Sequence, residues 1–185
     1  MKNFLKRIFN RKNESTISYD TMTGDKLIIW KFEELVKTLI TLSLSANQQK
    51  NIIGYGNVAE EMADDFDTYY TLTFLEYIRL NLINQEQKKE LDSLDEYFKN
   101  HSYEKDPDFW NDDFLDTNFE WRLIRDQALI VLKSLDKDDL EIHYERTVEE
   151  TKSESGESLM IERTKIILVK KSEKNWVPYE KGKSI

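Results

Sequence analysis

The sequence predicts an α+β protein, a mostly helical body of four to five helices followed by a C-terminal antiparallel β-hairpin. Three observations point there. Apolar residues recur every three or four positions through most of the chain up to residue 135, the period of helices with one buried face. After Asp136 the period drops to two, that of a half-buried strand. The chain has only 5 glycines and 2 prolines, too few for a turn-dense all-β fold.

The elements follow in order. Residues 1–12 contain Lys2, Lys6, Arg7, Arg11 and Lys12 and no acid, with Phe4, Leu5, Ile8 and Phe9 on one helical face. This is a basic amphipathic terminal helix, able to cap the acidic body of its own chain or to lie on an anionic surface. In KLIIWKFEELVKTLITL, Ile28, Phe32, Leu35, Val36, Leu39 and Ile40 mark a helix, with Thr23 or Asp25 as its cap. Gly54 and Gly56 end a short helix or turn. Asn57 is placed to cap the next helix, with Val58, Met62, Phe66, Tyr69 and Tyr70 inward and a break near Thr71 or Thr73. Asn84 and Gln87 have capping-box spacing, as do Thr117 and Glu120. The second of these boxes opens FEWRLIRDQALIVLKSL. Its run over 128–132 is apolar on every side, which predicts the most buried helix of the body.

Beyond it, Leu140, Ile142, Tyr144 and Val148 alternate with polar residues as a half-buried strand. KSESGES turns the chain into LMIERTKIILVKK, the second strand. A hairpin alone is marginal, so it must pack on the helices or find another edge. No repeat or linker divides the chain, which reads as one domain over 1–185.

Composition narrows the function. Asp and Glu number 36 against 27 Lys and Arg, for a net charge of −9 and a pI near 4.9. Such a surface has no general attraction for nucleic acid. No stretch approaches the roughly 18 apolar residues of a membrane span, so a membrane role is not expected outside residues 1–12. With no cysteine and 2 histidines, zinc chemistry and Ser-His or Cys-His catalysis have little to work with. No cofactor motif is present, since Gly54-Tyr55-Gly56 lacks what a phosphate loop requires. The same composition fits a reducing cytoplasm.

Two acidic stretches remain as candidate binding residues. One holds Glu60, Glu61, Asp64, Asp65 and Asp67; the other holds Asp106, Asp108, Asp112, Asp113 and Asp116 around Phe109, Trp110 and Phe114. Neither contains a basic residue. Carboxylates four apart on a helix share a face and can hold a hard cation or divide acid and base roles. They equally suit a helix start, where negative charge is favourable. Trp110 in an acidic rim would anchor and steer a basic partner, or simply pin its loop to the core. Glu141, His143 and Glu145 share one face of a strand and are read as a solvent face rather than a metal set.

The runs IIGYGNVAEEMADDFDTYY and DPDFWNDDFLDTNFEWRLIRDQA resemble small acidic bacterial proteins that act as immunity partners of secreted polymorphic toxins. The likeness spans residues 27–135 and lends no residue roles. It implies a cytosolic, non-enzymatic inhibitor that binds one toxin domain; the acidic stretches themselves, not the likeness, offer Glu60, Glu61, Asp64, Asp65, Asp67, Asp108, Trp110, Asp112, Asp113 and Asp116 as contact residues. The rival expectations are a small hydrolase using the 60–67 carboxylates and a peripheral membrane adaptor using residues 1–12.

Overall fold

A computed structural model of the chain describes residues 22–101, 104–152 and 158–173. The basic segment 1–12 and most of the KSESGES turn lie outside the described residues. The described residues form six helices and a two-stranded antiparallel sheet, in the order α1 (Asp25–Ser43), α2 (Ala46–Ile53), α3 (Val58–Phe66), α4 (Phe74–Arg79), α5 (Gln85–Lys99), α6 (Phe119–Ser134), β1 (Leu140–Lys152) and β2 (Ser158–Lys170). This is the α+β architecture that the change of period predicts. Among the described residues no helix is long and apolar enough to cross a membrane.

The most buried helix is α1, not α6. Every residue from 34 to 42 of α1 is buried, because α1 touches α2, α3, α4, α6 and β1. The sequence hides this, since four of those nine residues are polar. They are satisfied within the helix: Lys37 Nζ donates to Glu34 Oε1 at 2.7 Å, and the Thr38 and Thr41 hydroxyls donate to the Glu34 and Lys37 carbonyls. A buried charge is tolerable only when paired in this way. In α6, by contrast, Ala128, Val131 and Leu132 are buried, but Leu129 and Ile130 are 39% and 48% exposed. It packs against α1 and α5, and its third side faces solvent.

Caps set most helix starts. Asn57 Oδ1 accepts from the Glu60 N–H, and Asn84 with Gln87 forms the expected capping box. A further box, Ser45 with Gln48, opens α2. Two expected caps differ. The residue before α1 is Gly24, with φ 59° and no side-chain bond; neither Thr23 nor Asp25 caps it. The cap of α6 is Asn118, whose side chain accepts from Glu120 and Trp121. Thr117 is taken up by the preceding turn, where its N–H bonds the Phe114 carbonyl. Between α3 and α4 the chain runs as a π-helical turn over Asp67–Thr71, and the expected break falls there. Inside that turn Tyr70 donates its hydroxyl to Asp92 Oδ1 at 2.6 Å, joining α5.

Aromatic rings fill the core between α3, α5 and α6. Phe66 meets Tyr70 and Phe98, and Phe98 meets Trp121. Trp121 then stacks on Phe109 at 5.1 Å and donates its indole N–H to the Phe109 carbonyl. Arg125 of α6 closes the seam by donating to the carbonyls of Leu44 and Leu115.

The hairpin packs on the core through its base. Leu140, Ile142 and Leu168 pack against the core and Ile166 is 9% exposed. The register pairs Ile142 with Leu168 and Tyr144 with Ile166, which puts these four on one face. Further out, Tyr144 and Val148 are 40% and 54% exposed. The expected half-buried strand therefore ends near residue 144, because no helix lies under the rest. Arg146 adds a tie to the body, donating to the Asn51 and Ile52 carbonyls at the end of α2.

These burials order the helices by sensitivity. Leu39→Ala in α1 should destabilise by about 2–5 kcal/mol, as expected for a buried leucine. Leu129→Ala in α6 should change stability by less than about 1 kcal/mol. Urea denaturation monitored by circular dichroism measures both, and equal losses would refute the placement of α1 at the centre.

Candidate partner-binding surface

The first N–H groups of a helix have no partner inside it and carry the positive end of the helix dipole. At α3 those groups draw in a distant carboxylate. Asp112 Oδ2 accepts from the Val58 N–H at 2.9 Å, and its Oδ1 accepts from Ala59 at 3.1 Å. Beside it Asn57 uses both ends of its amide: the oxygen accepts from Glu60, and the nitrogen donates to the Trp110 carbonyl at 2.8 Å. The two acidic stretches, separated by some fifty residues of sequence, therefore meet at one helix start.

The loop is shaped to deliver Asp112. Asn111 Oδ1 accepts from the Asp113 N–H, opening a single 3₁₀ turn over Asp112–Phe114. Behind that turn, Phe109 and Leu115 are fully buried. His101 stacks on Phe109 with ring centroids 4.0 Å apart, and its Nε2 lies 3.3 Å from Asp106 Oδ2.

The carboxylates thus divide into roles. Asp112 is half-buried and committed to the backbone of α3. Glu60, Glu61 and Asp65 are half-buried along α3, while Asp64, Asp67, Asp108, Asp113 and Asp116 are exposed. Their proximity is felt at Glu60. Partial burial, then the charges of Asp64, Asp112 and Glu61, hold its carboxyl above the usual 4.5. The ends of the surface border cations of the body. Asp67 acts on Lys99, whose main partner is Asp95. Asp116 faces Arg125, whose pKa is lowered by burial and supported by that charge.

Trp110 sits differently from an exposed anchor. It is half-buried and edge-on to Phe109 at 4.8 Å, with its indole nitrogen buried and unpartnered. It pins the loop to the core. In and beside the two acidic stretches the exposed aromatics are Tyr55 at 73%, Phe114 at 40% and Phe119 at 55%. The sequence offered one clue to them. Tyr55 lies between glycines, and Phe114 and Phe119 fall where the loop turns into a capped helix, both places where a ring is left without a helical face to join. The Arg122 guanidinium lies 4.9 Å from the centre of the Phe119 ring.

Among the described residues no group of three His, Asp or Glu side chains is arranged to hold a metal ion. On β1, His143 Nε2 lies 3.0 Å from Glu141 Oε1, and Glu145 is exposed. No family model, curated protein or solved structure matches the chain.

Removing the Asp112 carboxylate should act on both structure and charge. Asp112→Ala deprives two helix-start donors of their acceptor and should destabilise by about 1–2 kcal/mol. It should also lower the Glu60 pKa. A carboxyl raised above its unfolded value binds its proton better in the folded state. Its contribution is therefore present in acid and lost as pH climbs from 4.5 through the folded value. In Asp112→Ala that window should narrow. Urea denaturation across pH and carboxyl-carbon NMR titration measure the two effects, and an unmoved Glu60 titration would refute the contact.

Proposed function

We propose that this protein is a non-enzymatic, cytoplasmic inhibitor of the immunity type, which neutralises a basic toxin domain through the surface formed by Glu60, Glu61, Asp64, Asp65, Asp67, Asp108, Asp113 and Asp116. The observation that supports it is the bidentate Asp112 cap, which draws two cation-free acidic stretches to one helix start. Like charges gathered in this way repel one another, and a basic partner would relieve that repulsion and be steered toward the surface. Tyr55, Phe114 and Phe119 supply exposed rings for contact, the residue class that often dominates interface energy. Trp110 acts in this scheme by holding the loop in place.

The test begins with recovery of the bound protein from the native host by pull-down, followed by surface plasmon resonance. The double change Asp64→Asn with Asp65→Asn should leave the fold intact. It should slow association at low salt by about threefold or more, with the difference vanishing at high salt. Phe114→Ala with Phe119→Ala should speed dissociation instead. Association rates equal to those of the unaltered protein at every salt concentration would remove the acidic surface from the interface.

A further inference from the structure

Histidine is the side chain whose charge ordinarily changes between about pH 5 and 8, so what surrounds each one bears on how a protein responds to pH. The chain has two. His143 sits on β1 beside Glu141. His101 lies just past the end of α5, with its side chain 13% exposed, and it makes three contacts at once. Its Nδ1 lies 2.6 Å from the Tyr97 carbonyl, among the last four carbonyls of α5, which a helix leaves unpaired. Its Nε2 lies 3.3 Å from Asp106 Oδ2. Its face lies on the Phe109 ring, with centroids 4.0 Å apart and planes 14° apart.

All three contacts ask for the same form of the ring. A carbonyl and a carboxylate accept hydrogen bonds and donate none. The imidazolium carries an N–H at both nitrogens and so meets both acceptors, and its charge suits an aromatic face. A neutral ring has one N–H. With the proton on Nδ1, the Nε2 lone pair faces the Asp106 carboxylate. With the proton on Nε2, the Nδ1 lone pair faces the Tyr97 carbonyl. The groups around the ring are thus a carbonyl from α5, a carboxylate from the loop and, behind Phe109, the Trp121 indole from α6. The neighbouring charges in sequence, Lys99, Glu104 and Lys105, are exposed, and Lys99 is paired with Asp95.

What these contacts hold is the chain leading up to Phe109. From Phe109 onward the loop is fixed by other means. Phe109 and Leu115 are fully buried, the Trp110 carbonyl accepts from Asn57, and Asp112 caps α3. Over 104–108, by contrast, Glu104, Lys105, Pro107 and Asp108 are exposed, and Asp106 is the one half-buried residue. Its carbonyl accepts the Phe109 N–H at 3.2 Å, and its carboxylate meets His101. We propose that His101 is a proton-operated latch: as imidazolium it holds Asp106 and the stretch 104–108 against the body, and on losing its proton it releases them. The hold is therefore present in mild acid and lost as pH rises through the titration of the ring. This latch borders the acidic surface through Asp108 and is independent of any partner bound there.

The test uses the full chain, isotopically labelled, from about pH 5.5 to 8.5, the range in which histidine changes charge. Ring-carbon NMR signals follow the protonation of His101, while amide relaxation and hydrogen exchange follow the loop. Exchange is read as protection, the rate relative to an unstructured chain at the same pH, because free exchange itself quickens with pH. Protection of the Phe109 amide should fall about threefold or more as the ring loses its proton, as expected for local opening. The Lys105, Asp106 and Asp108 amides should gain fast motion with the same midpoint, a comparison that needs no variant. His101→Phe keeps a ring on Phe109 and removes the charge, so it should show the released stretch at every pH with the rest of the fold intact. His143→Gln should leave the response unchanged. A His101 ring that keeps one protonation state across the range would overturn the proposal, as would loop amides that ignore its midpoint. So would a response that survives in His101→Phe or disappears in His143→Gln.

Discussion

A helix with neighbours on every side is the constraint from which the rest of this structure follows. Nine consecutive residues of α1 are buried, so no face of that stretch is left for water. An all-apolar helix would be the simplest solution, yet Glu34, Lys37, Thr38 and Thr41 sit among the buried positions. Each is satisfied one helical turn away along its own helix. Removing Glu34 would take from Lys37 the carboxylate that balances it, and an uncompensated interior charge costs more than the pair itself contributes.

The acidic surface depends on a second, local constraint. Helix starts need acceptors, and α3 takes two of them from outside its own segment, Asn57 just before it and Asp112 from a loop fifty residues on. A structural requirement of one element thus determines where a distant acidic stretch lies. The same contact raises the Glu60 carboxyl through burial and through Asp64, Asp112 and Glu61. Stability and surface charge are therefore coupled at this corner. The aromatic stack of His101, Phe109 and Trp121 holds the loop from behind, so the loop presents its carboxylates from a fixed backing.

The hairpin shows the opposite economy. Two strands do not form a stable sheet unaided, and here the base, through Leu140, Ile142, Ile166 and Leu168, is joined to the helices. Arg146 extends the attachment by two carbonyl contacts. The rest of β1 is exposed.

Much of the fold was legible in the sequence. The change of period at Asp136 located the hairpin, and Asn57, Asn84 and Gln87 located two helix starts, because caps and periodicity are short-range effects. The acidic character of the surface was equally plain from composition. The failures share one cause. Burial is a property of neighbours, so 128–132 looked enclosed while α6 has a solvent side, and the polar residues of α1 looked exposed while they are sealed in. Thr117 matched a capping box that Asn118 fills, since the preceding turn had already used Thr117. By itself the sequence determined the class of fold, the net charge and two of the six helix starts. Only the tertiary structure decided that α1 is central, that Trp110 lies half-buried against Phe109, and that Asp112 joins the two acidic stretches. Those outcomes rest on contacts between segments far apart in the chain, which no local pattern encodes.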